Sequence, residues 1–211
     1  FGVESAEVIK GPASLMYGSD ALAGVINIQS LIPAPDGKIR ANVLSEYQTN
    51  SRLRGFYADV SGTKNGFSFG AYGSYKGAED YKNKYDGYVF NSKFYNKNAG
   101  LMLGYGGGWG RSYLRATIFD QHTGMVEGER DETTGEFLKP VPGGDEEIAT
   151  SADFHKIKPF VPFQHIQHYK LTSENSFNLG SSKLDVTVGY QRNKRREFGN
   201  PDDIKEPEAF F

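Results

Sequence analysis

From Lys38 onward the side chains of this chain alternate in character with a period of two. Over 39–48, Ile39, Ala41, Val43, Ser45 and Tyr47 share one side; Arg40, Asn42, Glu46 and Gln48 share the other, and Leu44 is the exception. The same pattern runs through 52–62, 66–76, 93–105, 110–122, 165–179 and 183–194. In the last of these, Leu184, Val186, Val188 and Tyr190 oppose Asp185, Thr187, Gly189 and Gln191. Successive side chains of a strand point to opposite faces, so each stretch predicts a strand with one apolar and one polar face. Several stretches exceed the 5–6 residues usual for a strand in a water-soluble protein.

The connections sharpen this prediction. After a short link near Thr49-Asn50-Ser51, short and long segments alternate. Lys64-Asn65, Gly106-Gly107-Gly108 and Gly180-Ser181-Ser182 are short; 77–91, 123–164 and the segment from 195 onward are long. Bacterial membrane barrels have short turns at one end and long loops at the other. Composition agrees: aromatic residues make up 14 % and glycine contributes 26 residues, against an apolar share of only 37 %. A barrel strand shows lipid just one face, flanked by aromatic girdles. No run approaches the ~18 apolar residues of a membrane helix. There is no cysteine, hence no disulfide framework or thiolate metal site. A net charge of −2 carries no basic footprint, so no nucleic-acid partner is expected. Both ends read as truncations.

Residues 1–30 differ. Ala6-Glu7-Val8-Ile9 reads as a short strand broken by Gly11-Pro12. Ala13 to Tyr17 suits one helical turn, Gly18-Ser19-Asp20 a turn, and Gly24-Val25-Ile26-Asn27-Ile28 a second strand. Gly11 and Gly18 stand where the backbone needs freedom, Pro12 presets a turn, and Tyr17 offers apolar surface to bury. On a strand, Glu7 and Lys10 point to opposite sides. Prolines at 33 and 35 make 31–37 a linker.

The run from Glu7 to Ile28, with Lys10-Gly11-Pro12, Tyr17-Gly18 and Gly24-Val25-Ile26-Asn27-Ile28, closely resembles the end of the plug domain of TonB-dependent outer-membrane receptors. Ala23 stands where many members have a first glycine. The resemblance covers about 22 residues; the rest matches in character only. It implies that 1–37 is the C-terminal part of a small α/β plug with its linker. Residues 38–211 are then the first strands, about seven, of an antiparallel transmembrane β-barrel of about 22 strands. By the same resemblance Glu7, Lys10, Gly11, Pro12, Tyr17, Gly18, Gly24 and Asn27 belong to the plug motif and plug–barrel contacts. The plainer reading of each is plug folding alone. The implied activity is import of a scarce nutrient, such as a metal chelate, through the bacterial outer membrane. The inner-membrane TonB complex would drive it through a segment outside this sequence, and the plug would shift to admit the ligand. Lipid and lipopolysaccharide would surround the wall. The Gly-Pro form resembles siderophore, haem and cobalamin receptors more than glycan importers, which tend to carry Lys-Asp-Ala there.

Candidate ligand residues lie in and beside the long loops: Tyr81, Tyr85 and Tyr88, whose rings suit stacking, and His122, His155 and His165. His165 and His168 are three apart and face opposite sides, a poor shared metal site, so no metal is assigned. Gly104 to Gly110 lacks the Lys-Ser/Thr and helix of a phosphate loop, and neither Asp80–Gly87 nor Glu127–Glu136 has a calcium-loop register. Arg192, Lys194, Arg195 and Arg196 form a basic cluster, read either as a solvated run or as a contact for lipopolysaccharide or an anionic chelate. No nucleophile–base pair argues for an enzyme, and no cofactor is expected. The main rival is a soluble β-sandwich binding carbohydrate or another ligand, in which the apolar faces would pack on each other.

Overall fold

The computed structural model describes residues 4–11, 17–18, 21, 23–29 and 32–210. Near the start, β1 (Ser5–Ile9) and β2 (Val25–Gln29) pair antiparallel, from Ser5 opposite Gln29 to Ile9 opposite Val25. Gly11 and Gly18 take φ of +80° and +113°, the freedom expected of them. Gly24 has its own constraint: a Cβ there would come within 2.8 Å of the Ile9 carbonyl oxygen. Pro12 and most of the proposed helical turn lie outside the described residues. Tyr17, expected to help bury a core, is 55 % exposed. Val8, Ile26 and Ile28 are exposed with it, because a two-stranded hairpin has no third layer here to cover it.

Seven long strands follow: β3 (Ile39–Gln48), β4 (Leu53–Lys64) and β5 (Phe67–Ala78), then, after a small hairpin of β6 (Lys82–Asn83) and β7 (Gly87–Tyr88), β8 (Phe94–Gly107) and β9 (Gly110–Gly124). The longest loop holds β10 (Leu138–Pro140), β11 (Glu146–Ile148) and the single-turn α1 (Ser151–Phe154). Then come β12 (Phe163–Leu179), β13 (Ser182–Phe198) and the two-residue β14 (Ala209–Phe210). They form one open antiparallel sheet in the order β14-β13-β12-β9-β8-β5-β4-β3. The seven expected strands are all present, and β14 is additional. At Asn65-Gly66 both residues have positive φ, 54° and 80°, as a tight hairpin turn requires. Every long loop opens at one end of the sheet, and the turns at 65–66, 108–109 and 180–181 lie at the other.

The register fixes which residues share a face. One rung across the sheet reads Val188, Ser173, Leu114, Leu103, Phe69, Gly62 and Ile39. The next reads Tyr190, Leu171, Ala116, Leu101, Ala71, Val60 and Ala41. Neither carries a charge. This apolar face is the bare one: Val43 is 71 % exposed, Val188 63 % and Leu101 62 %. The opposite face is polar and better covered. There Asn42 donates to both Asp59 oxygens (3.0 and 3.1 Å), Asn98 donates to Ser74 (3.0 Å), and Arg115 meets Glu174 (3.5 Å). Ser61 and Ser68 on that face are buried. Arg40, also on it, binds Glu4 (2.5 Å) and the Ile32 carbonyl (3.0 Å), tying the N-terminal segment to the polar side. A water-soluble sheet turns its apolar face inward; this one does the reverse. The packed second sheet that the sandwich alternative needs does not exist among the described residues.

The core sits in the loops. Val89, Phe90, Phe137 and Ala149 are buried together, with Phe154 and Phe160 against them. Asn91 clamps the longest loop. Its amide nitrogen donates to the carbonyls of Met125 (3.2 Å), Phe160 (3.1 Å) and Pro162 (2.8 Å), and its oxygen accepts from the Phe160 N–H (3.0 Å).

Candidate functional site

At the loop end a cleft of about 260 Å³ is lined by Thr49, Asn50, Arg52, Glu79, Asp80, Lys82, Tyr88 and His155. Three connections build it. The 49–52 link supplies Asn50, whose side chain pairs with the Lys82 backbone as a strand would, accepting from its N–H (2.6 Å) and donating to its carbonyl (3.0 Å). The 79–93 loop supplies Glu79, Lys82 and Tyr88. His155, just past α1, closes the third side. Its Nδ1 donates to Glu79 Oε2 at 2.7 Å, and Arg52 reaches the same oxygen at 3.4 Å. The Tyr88 hydroxyl lies 3.4 Å from His155 Nε2, and the two rings meet edge to face at 5.2 Å. Lys82 places its ammonium 4.2 Å above the Tyr88 ring and forms no ion pair among the described residues, the nearby Glu79 and Asp80 being taken by His155, Arg52 and Lys93.

Below the cleft the scaffold is ionic. Lys93 and Asp80, both fully buried, pair at 3.0 Å, and Lys93 Nζ also donates to the Asp153 carbonyl (2.5 Å). Burial pushes the Asp80 carboxyl up and the Lys93 ammonium down, each partly offset by the other's charge. For Asp153 burial also pushes upward. Hydrogen bonds from Lys156 (2.9 Å), Lys139 (2.9 Å) and Thr150 (2.7 Å) outweigh it and hold the carboxyl well below the usual carboxylate range. The cleft therefore has a fixed floor and a rim bearing an aromatic ring, an imidazole and an unpaired ammonium. That rim can stack on a flat ligand and attract an anionic one. It holds no nucleophile–base pair.

The structure divides the ligand residues proposed from sequence. Tyr88 and His155 meet in the cleft; Tyr81 is exposed and is not among its lining residues, and Tyr85 projects from the tip of the β6–β7 hairpin, 92 % exposed. His122 and His165 belong to strands instead. They are register partners on β9 and β12, stacked at 3.8 Å, on the same face as Ile118 and Tyr169. With Asp120 they form a trio of metal-ligand type. Both His165 nitrogens are engaged, one by Asp120 (3.0 Å) and the other by the Arg196 guanidinium (2.7 Å), which sets a cation where a metal's charge would lie. Glu7 and Lys10 form no ion pair among the described residues; the carboxylate that meets the sheet is Glu4. Asn27 pairs in register with Glu7. Arg52, Glu79 and Lys82 were missed from sequence, because nothing local marks them. The His122–His165 pairing had a signal: both stand equally far inside the strands flanking the longest loop.

No protein-family model matches the sequence, and no curated protein matches it. Solved structures do. The chain aligns over 100 % of its length with the ferric enterobactin receptor PfeA in complex with BCV-L6, at 15 % identity and a TM-score of 0.61, covering 31 % of that chain. The Pseudomonas aeruginosa PfeA mutant Q482A in complex with enterobactin gives 13 % identity and a TM-score of 0.60, again over 100 % of this chain and 31 % of that one. The siderophore receptor PirA from Pseudomonas aeruginosa aligns at 18 % identity over 99 % of this chain and 38 % of its own, with a TM-score of 0.43. The chain thus spans about a third of the length of the PfeA structures and, across that span, shares the fold of the ferric enterobactin receptor.

Proposed function

We propose that this chain belongs to a TonB-dependent receptor of the bacterial outer membrane that imports a scarce metal chelate, with a ferric siderophore as the first choice over haem or cobalamin. In this reading residues 1–37 are the end of the plug and its linker, and the seven long strands β3, β4, β5, β8, β9, β12 and β13 are wall strands of a barrel of about 22 strands. The TonB complex supplies the energy through a segment beyond this sequence, and the protein is a transporter with no enzymatic role. One observation carries the reading. The long sheet leaves its apolar face bare and turns its polar face toward the N-terminal segment, and all its long loops share one end. Lipid on one side and an aqueous, plug-filled lumen on the other is the environment such a sheet requires. The fold shared with PfeA supports it, and so does the plug-like motif from Glu7 to Ile28. The cleft at Lys82, Tyr88 and His155 suits an anionic, flat chelate.

The test is growth of a deletion strain in which iron is supplied only as a ferric catecholate, only as haem, or freely with cobalamin limiting. Loss of growth on the catecholate alone, restored by the intact gene, is expected. Unchanged growth in all three media, or recovery of the protein in the soluble fraction, overturns the reading.

A further inference from the structure

Above the charge-free rungs the apolar face changes abruptly. The next rung toward the loops carries Arg192 beside Tyr169 and Ile118. The one after it runs Lys194, Gln167, Asp120 and Lys97. The side chains of Lys97, Arg192 and Lys194 make no hydrogen bond or ion pair among the described residues, and Lys97 and Arg192 are exposed. Asp120 is the one carboxylate on these rungs. It is already taken, accepting from His165 (3.0 Å) and Gln167 (2.8 Å). Arg196, one rung higher, is held by His165 and Gln167 and stiffens the strip. Arg195 and Glu197 pair on the opposite face, so they do not neutralise it.

Unpaired cations at the edge of an apolar belt lie at headgroup depth when the belt is in lipid. From this arrangement we propose that the strip is a docking site for a phosphate-bearing lipid headgroup of the outer leaflet. Arg192 and Lys194, two residues apart on one strand face, form the primary clamp, and Lys97, about 14 Å away across three strand spacings, makes a second contact. Acyl chains of the same lipid lie along Val188, Leu171 and Leu101 below. The proposal rests on the membrane placement given above and adds to it a residue-level lipid site.

The test uses the full chain in detergent, titrated with diphosphorylated lipid A in the same detergent and read by native mass spectrometry. Wild type is expected to retain the lipid. Joint Arg192→Gln, Lys194→Gln and Lys97→Gln substitution should weaken retention on the order of 100-fold, from about fivefold per cation. Lys170→Gln, which removes a cation from the other face of β12, should leave it unchanged. Heat-modifiable gel mobility confirms that each variant is folded. Equal binding by the triple variant, equal loss in Lys170→Gln, or full competition by inorganic phosphate overturns the site. Recovery of wild type in the outer membrane alongside any of these results leaves the receptor reading standing. Recovery in the soluble fraction overturns both.

Discussion

In the loops, Val89, Phe90, Phe137 and Ala149 bury one another over a floor of paired charges; in the sheet, Leu101, Leu103 and Val188 of the long strands are exposed, with no second layer over them among the described residues. The loop region of 79–93 and 125–162, the cap, is built as a water-soluble domain is, with a small apolar core and satisfied polar groups. The wall is built differently: its strands are held by ladder hydrogen bonds, and its apolar side chains stand bare, as the proposed lipid environment requires. In the proposed membrane reading two environments act on one chain, and the border between them falls at the rung of Lys97 and Lys194.

The comparison breaks first at Lys93. Its replacement by Met strands Asp80 as a lone buried charge, a loss of about 3–5 kcal/mol. Amide hydrogen exchange should rise across 79–93 and 125–162 while β8 and β9 keep their protection. Equal loss in the wall would show that cap and wall are not separate units. Replacing Asp80 by Leu in the same molecule should recover most of the loss.

A smaller effect is expected in the wall. Leu101→Arg sets a charge in the middle of the apolar face and should cost about 2–4 kcal/mol in a bilayer, measured by denaturant unfolding from lipid vesicles. A water-exposed leucine would change stability by only about 0.5 kcal/mol. That smaller value would place the face in water and remove the contrast.

The smallest effect concerns pH. The Asp153 carboxyl is held below its usual range, so its contribution is fully present above the unfolded value of about 3.9. It is lost as pH falls through the depressed folded value. Protection of the cap should fall below about pH 4, read by amide hydrogen exchange across 125–162. Asp153→Asn, short of charge-assisted bonds worth about 1.5–3 kcal/mol, should be weaker at neutral pH and flat in that acid range.

The wall was legible because its signal is local. Ile39 to Tyr47 and Leu184 to Tyr190 declare their faces within one strand, and Asn65-Gly66 declares its turn. The loop-length parity placed the loops at one end. The cap was not legible. Asp80 with Lys93 reads as two ordinary charges in a polar loop, and Asn91 as a turn residue. Their partners in the region 125–162 are brought close only by folding. Tyr88 and His155 were both named from sequence, but their meeting depends on α1 packing beneath the 79–93 loop. Arg52 and Glu79 carried no signal at all.

The sequence by itself determined the seven strands, their turns, and which side chains share a face, since a period of two is written residue by residue. It could not say which face would be bare, because alternation looks the same from either side. A one-residue slip of register would exchange the faces. Only the tertiary structure decided that. Pairing β13 through β3 in one open sheet lined up the apolar halves, left them uncovered, and gathered Lys97, Arg192 and Lys194 from distant strands along one edge.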